Sequence, residues 1–344
     1  MTTGEDIPTL TTRKPPGGLL RCRAAQTMLL AAVITAGMGL ARENMQSGLP
    51  PKLLWRLKVD WKANADVVLA GDSRVYRGLS PEKISAVLGN CRVLNFGFNS
   101  AGYSPEYLAG VHRVLDPRSP QPAIVMGITP HSLTPDAVKD NGYLHALSDQ
   151  RNQPPPAAEE VMARYCPEVL NFFEPMKFRE MLQTVLGIRR HKKATYLESY
   201  RLNGWVPGRL IPEDSSSGLK AYRKVFNENK VSDETVRGIL DAVRQWTRCG
   251  IGVYGFRPPT TAAMVALEDA QSGFDEAKFV AKFVKAGGQW IAVDQDGYHS
   301  YDGSHLREDS AATFSVDLAR KIDELRKLAD DRQSGRSTGI SSFP

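Results

Sequence analysis

A hydroxyl, an imidazole and a carboxylate can together move an acyl group, and this 344-residue chain offers the three at Ser73, His305 and Asp302. A serine oxygen attacks a carbonyl well only when a base takes its proton, and a carboxylate behind the imidazole fixes the useful tautomer. Ser73 ends the stretch ADVVLAGDS, in which an apolar run delivers a serine to the start of a helix-like segment. Backbone N–H groups and the positive dipole end there favour negative charge on or beside the hydroxyl oxygen. The partner pair stands much later, in Tyr301-Asp302-Gly303-Ser304-His305-Leu306. His299 is a rival base without the matching carboxylate spacing. Gly-Asp-Ser by itself is also an ordinary turn, in which Asp72 merely caps a helix, so the flanking elements must decide.

Composition removes several alternatives. The chain carries 44 Lys and Arg against 38 Asp and Glu, a formal charge of +6. Its basic residues form no stripe interleaved with aromatics, which argues against a nucleic-acid binder. Cys22, Cys91, Cys166 and Cys249 show no CxxC or Cys/His metal spacing, so neither a metal site nor a cofactor is expected. Cys91 reads as a small core residue, and Cys166 with Cys249 could form a disulfide in an oxidising compartment.

Residues 1–23 are polar and basic, and read as a disordered tail. Residues 24–41 run AAQTMLLAAVITAGMGLA without a charge. At ~1.5 Å per residue they reach about 27 Å, enough to cross a hydrocarbon core. An uncleaved transmembrane signal anchor is the expectation, with a cleaved signal peptide and a soluble helix as alternatives. Residues 42–64 read as a linker with an amphipathic helix. From residue 65 apolar runs alternate with helical stripes: strands are expected at Asp66–Ala70, Cys91–Phe96, Ala123–Ile128, Gly250–Phe256 and Gln289–Val293. Ser80-Pro81-Glu82 and Ser104-Pro105-Glu106 mark helix starts. The pattern predicts an α/β domain over 65–330: a five-stranded parallel sheet covered on both faces. Residues 132–248, without a convincing buried strand, read as a helical insertion between strands 3 and 4. Within it Arg189–Lys193 is a basic surface run. A last helix over Glu308–Leu328 and a disordered tail from about Asp331 complete the reading.

In such a sheet, ligands bind beyond the carboxyl ends of the strands. Ser73 follows strand 1, the Gly97–Gly102 turn strand 2, Thr129 strand 3, and Asp302 and His305 strand 5, so all are expected on one rim.

Gly71-Asp72-Ser73, Asn95–Gly102 and Asp302-Gly303-Ser304-His305-Leu306, in this order and context, resemble the blocks of the SGNH (GDSL-type) hydrolases. The resemblance implies a three-layer, flavodoxin-like fold and acyl transfer by Ser73, His305 and Asp302. It also implies an oxyanion hole drawn from the N–H groups of Ser73 and of Gly102 or Ser100. The family's third block usually supplies an asparagine; here Gly127-Ile128-Thr129-Pro130-His131 stands in its place, leaving Thr129 or Asn99 as substitutes. Arg74, Arg77 and His131 are candidates for substrate contact. With an N-terminal anchor, the chain looks most like the extracytoplasmic branch that works with membrane-bound O-acyltransferases. That likeness implies a single-pass protein of the cytoplasmic membrane whose catalytic domain faces outward, onto a polysaccharide or acylated glycan. A degenerate, glycan-binding or assembly partner of such an acyltransferase is the alternative.

Overall fold

The sheet that carries the rim has five parallel strands. The computed structural model describes residues 23, 25–31, 33, 47–155, 157–165 and 195–338. Its central strands are β2 (Val67–Ala70), β3 (Val93–Asn95), β4 (Ala123–Gly127), β7 (Gly252–Phe256) and β8 (Gln289–Ile291), in the spatial order β3-β2-β4-β7-β8. Every neighbouring pair is parallel. All five expected strands form, trimmed by one or two residues at one end or, for β3, at both. The chain steps outward from β2 to β3 and then back across to β4, so the switch point lies between β2 and β4. A crevice opens at such a point at the carboxyl ends of the strands.

Alternation along β2 sets the layers. Val68 and Ala70 join the cluster formed with helices Pro105–Val114, Asp233–Arg248 and Glu276–Lys285. Val67 and Leu69 face the other way, onto Ile84 of helix Pro81–Val87 and Phe314, Leu318 and Ile322 of the last helix. A strand buried on both faces must be apolar throughout, as VVLA is. Helix Asp233–Arg248, expected within the insertion, is thus a sheet-covering crossover: Val236, Ile239, Leu240, Val243 and Trp246 form its buried stripe. The capping expectations hold, with Ser80 and Ser104 accepting from Lys83 N–H and Tyr107 N–H.

Two readings need correction. The insertion is not purely helical, since β5 (Thr195–Tyr200) and β6 (Gly208–Ile211) form an antiparallel hairpin. The two-residue β1 (Ser47–Gly48) pairs with β5 in parallel. The Asn203-Gly204 dipeptide is the sequence signal for this hairpin. Gly204 has φ of 88°, and a Cβ there would stand 2.0 Å from the Asn95 carbonyl oxygen. The last helix also runs to Thr338 rather than Leu328, because residues 324–329 are strong helix formers and no proline or glycine interrupts 323–334.

Among the described residues no helix is long and apolar enough to cross a membrane; the expected anchor over 24–41 falls largely outside them, and in its described part Met28, Leu29, Leu30 and Val33 are exposed. Residues 1–22, Cys166 (the candidate disulfide partner of Cys249) and the Arg189–Lys193 run lie outside the described residues.

Candidate active site

Ser73 opens a short helix, Ser73–Gly78, directly after β2 and the Gly71-Asp72 turn. With so few residues the helix brings little dipole, and its first amides matter more. Asp72 caps it: one carboxylate oxygen accepts from Arg74 N–H (3.0 Å), the other from the Thr129 hydroxyl (2.6 Å). Two buried tyrosines hold the strand ends around this turn. Tyr107 Oη accepts from Gly71 N–H (2.8 Å) and donates to the Phe96 carbonyl (2.9 Å). Tyr103 Oη donates to the Gly127 carbonyl (2.9 Å). Asn95, wholly buried, donates to the carbonyls of Val75 and Leu79 at the helix's other end.

The three distant side chains meet. His305 Nε2 lies 2.8 Å from Ser73 Oγ, and His305 Nδ1 lies 2.7 Å from Asp302 Oδ2. Asp302 Oδ1 accepts two backbone amides, from Ser304 (2.9 Å) and His305 (2.7 Å). The Tyr196 hydroxyl donates to Oδ2 (3.1 Å). Asp302 is 1 % exposed, Ser73 9 % and the His305 side chain 13 %. Burial alone would raise the Asp302 pKa, yet His305 beside it and these hydrogen bonds hold it well below the usual carboxylate range. Burial and then the Arg77 charge push the imidazole below its ordinary value, outweighing the pull of Asp302. A neutral imidazole with Nδ1–H toward Asp302 leaves Nε2 as the acceptor for the serine proton. His299 is exposed at the surface and is not the base.

The oxyanion side differs from expectation. Gly102 N–H donates to the Ala137 carbonyl (3.0 Å), and a Cβ at Gly102 would meet Ala137 and Val138 backbone at 2.3–2.5 Å. Gly102 is a close-packing glycine, not an oxyanion donor. Thr129 is fully buried and gives its hydroxyl proton to Asp72, so it cannot replace the missing asparagine either. Asn99 and Ser100 line a separate pocket of about 380 Å³ with Lys52, Trp55, Phe98 and Asn141, which no triad residue borders. The Ser73 N–H remains, and it donates to no group among the described residues.

Arg74 and Arg77 are not substrate contacts. Arg74, 3 % exposed, pairs with Glu268 (2.6 Å) and donates to Ser304 Oγ (3.1 Å), with its guanidinium over the Tyr222 ring. Glu268 also holds Arg257 (2.9 Å); two cations around one fully buried carboxylate satisfy a charge that would otherwise be costly there. Arg77 pairs with Glu198 and donates to Tyr301 Oη (2.6 Å) and Tyr76 Oη (3.2 Å). His131 is half-buried against Tyr222, at 5.7 Å between ring centroids. No hydrogen bond joins its ring to the triad among the described residues. Burial is the main cause of its lowered pKa.

Sequence reading missed Tyr196, Tyr301, Glu198 and Lys58. Tyr301 stacks on His305, 5.9 Å between centroids at 21°. Lys58, wholly buried, points its amine at the Gly97 carbonyl from within Trp55 and Phe98 (4.8 and 4.7 Å), and burial lowers its pKa far below the usual lysine value. The hairpin residues had a findable signal in Asn203-Gly204; Lys58 had none, since helix periodicity alone does not mark a buried lysine. No protein-family model matches the chain, and no curated protein matches it at a significant level.

Proposed function

We propose that this chain is a serine-dependent acyl-transfer enzyme of the SGNH type. The observation that carries the reading is the continuous relay from Ser73 Oγ to His305 Nε2 and from His305 Nδ1 to Asp302, at 2.8 and 2.7 Å. In support, the five parallel strands run 2-1-3-4-5 in chain order, with helices on both faces. That is the flavodoxin-like arrangement an SGNH protein would have.

In the reaction, Ser73 Oγ attacks an ester carbonyl as His305 Nε2 takes its proton. The new oxyanion faces the Ser73 N–H. The tetrahedral species collapses, the leaving oxygen recovers the proton from His305, and an acyl-serine remains. An incoming sugar hydroxyl then gives its proton to His305 and takes the acyl group; water in its place makes the protein an esterase. Losing one oxyanion donor typically costs ~10²–10³ in turnover, so a slow or specialised enzyme follows from the committed Gly102 and Thr129.

The substrate is proposed to be a cell-surface or exported polysaccharide, on the extracytoplasmic side of the cytoplasmic membrane. The uncharged residues 24–41 would anchor the protein there, beside a membrane-bound O-acyltransferase. Exposed Met28, Leu29, Leu30 and Val33 fit a helix whose neighbours are lipid. A second reading, a degenerate glycan-binding or assembly partner, is favoured by the same two committed oxyanion positions. One experiment separates them: acid-quenched incubation with 4-nitrophenyl acetate, followed by peptide mass spectrometry. The enzyme reading expects an acetyl group on Ser73 and turnover abolished in Ser73→Ala. Wild-type turnover no greater than that of Ser73→Ala, with no acetyl-Ser73, contradicts it and leaves the binding partner.

A further inference from the structure

We propose that Tyr196, delivered by the inserted hairpin, is a positioning residue of the triad, holding Asp302 through Oδ2, the oxygen that also receives His305 Nδ1–H. The inference rests on reading Ser73, His305 and Asp302 as an acyl-transfer triad, and extends it to an element outside the central sheet.

Four hydrogen bonds saturate the Asp302 carboxylate. Ser304 and His305 amides fill Oδ1, and His305 Nδ1 and Tyr196 Oη fill Oδ2. A carboxylate has about four acceptor sites, so no rotation improves on this arrangement. Three of the four donors come from the Asp302–His305 turn itself. Tyr196 is the exception, separated from Asp302 by 106 positions.

Tyr196 is itself held in place. Its ring faces the Arg77 guanidinium at 5.4 Å and meets Tyr301 edge-on at 6.2 Å. The hairpin beneath it is tied to the nucleophile helix. Val206 N–H donates to the Tyr76 carbonyl, Trp205 Nε1 to the Arg77 carbonyl, and Glu198 pairs with Arg77. The phenol stays a donor across the working range, because burial and then the Asp302 charge raise its pKa and outweigh the opposite pull of Ser217 against the same oxygen. Among the described residues, Arg77, Tyr76, Tyr301, Arg74 and Glu198 are charged or titratable groups around the pair. None of them supplies a hydrogen bond to Asp302 Oδ2. Tyr196 is nevertheless 41 % exposed, so replacing its hydroxyl leaves the core intact.

The test uses the full-length protein and 4-nitrophenyl acetate. Tyr196→Phe should lower kcat about ten-fold with KM unchanged, as small misplacements of a catalytic group do. Without the phenol, Asp302 holds Nδ1–H more tightly and favours imidazolium, so the acid limb of the kcat profile should rise by roughly half a unit. In an Asp302→Asn background the same substitution should cost almost nothing, because its route of action is gone. Wild-type kcat and acid limb in Tyr196→Phe, or an undiminished ten-fold loss in Asp302→Asn, overturns the proposal while Ser73→Ala remains inactive. An active Ser73→Ala instead removes the triad reading on which it rests.

Discussion

The two sides of the candidate site's rim are built to different ends. On the Asp302–His305 side the carboxylate and the imidazole are aligned with the Ser73 hydroxyl, and a tyrosine from a distant hairpin completes the carboxylate's shell. On the Gly97–Thr129 side the groups that could meet an oxyanion are turned to holding the fold, Gly102 by Ala137 and Thr129 by Asp72. Under the proposed function, activating a nucleophile and stabilising the oxyanion it forms are separable tasks, and the geometry is complete for the first and sparse for the second. The largest expected effects lie on the complete side. His305→Gln or Asp302→Asn should lower acyl turnover by ~10³–10⁴, measured with 4-nitrophenyl acetate; losses within three-fold break the comparison.

Next come substitutions on the sparse side, where stability rather than chemistry should move. Gly102→Ala forces a methyl to within 2.3 Å of Ala137 backbone, which no side-chain rotation relieves. It should cost about 3 kcal/mol or more of folding free energy in a urea titration. Thr129→Val leaves one oxygen of the buried Asp72 carboxylate without its donor, a loss of about 1–3 kcal/mol. Asn99→Ala should leave turnover within two-fold. A hundred-fold loss there would place an oxyanion donor on a side chain that now lines a different pocket.

How much of this was legible follows from the range over which each feature is specified. VVLA followed by Gly-Asp-Ser, and Asp302-x-x-His305 just before a helix, are local patterns, and they led to the triad and to the sheet around it. The roles of Gly102 and Thr129 depend on which atoms approach them across the fold, Ala137 and Asp72, and no spacing encodes that. Arg74 and Arg77 read as candidates for substrate contact because their partners, Glu268 and Glu198, lie more than a hundred positions away. The hairpin's short, half-polar alternation, TYLESY, is weak beside the continuous apolar runs of the central strands, and only its Asn-Gly turn betrays it.

The smallest expected effect is electrostatic. Because the His305 pKa is depressed in the folded protein, the unfolded chain binds its proton more readily. Stability from this group is present above about pH 6.5 and declines as pH falls below it. The acid limb of activity should likewise lie below about 6.5. Arg77→Met paired with Glu198→Gln, which removes the repelling charge without stranding a carboxylate, should move that limb upward. A limb that stays in place shows that Arg77 does not act on the imidazole.

The most direct measurement is labelling by a fluorophosphonate, which reacts with a serine only when its hydroxyl is activated. Wild-type protein should take up one equivalent, with the adduct mapped to Ser73, and His305→Gln should take up none on the same timescale. An unlabelled Ser73 in the wild type, or equal labelling in both proteins, contradicts an imidazole-activated serine at this rim.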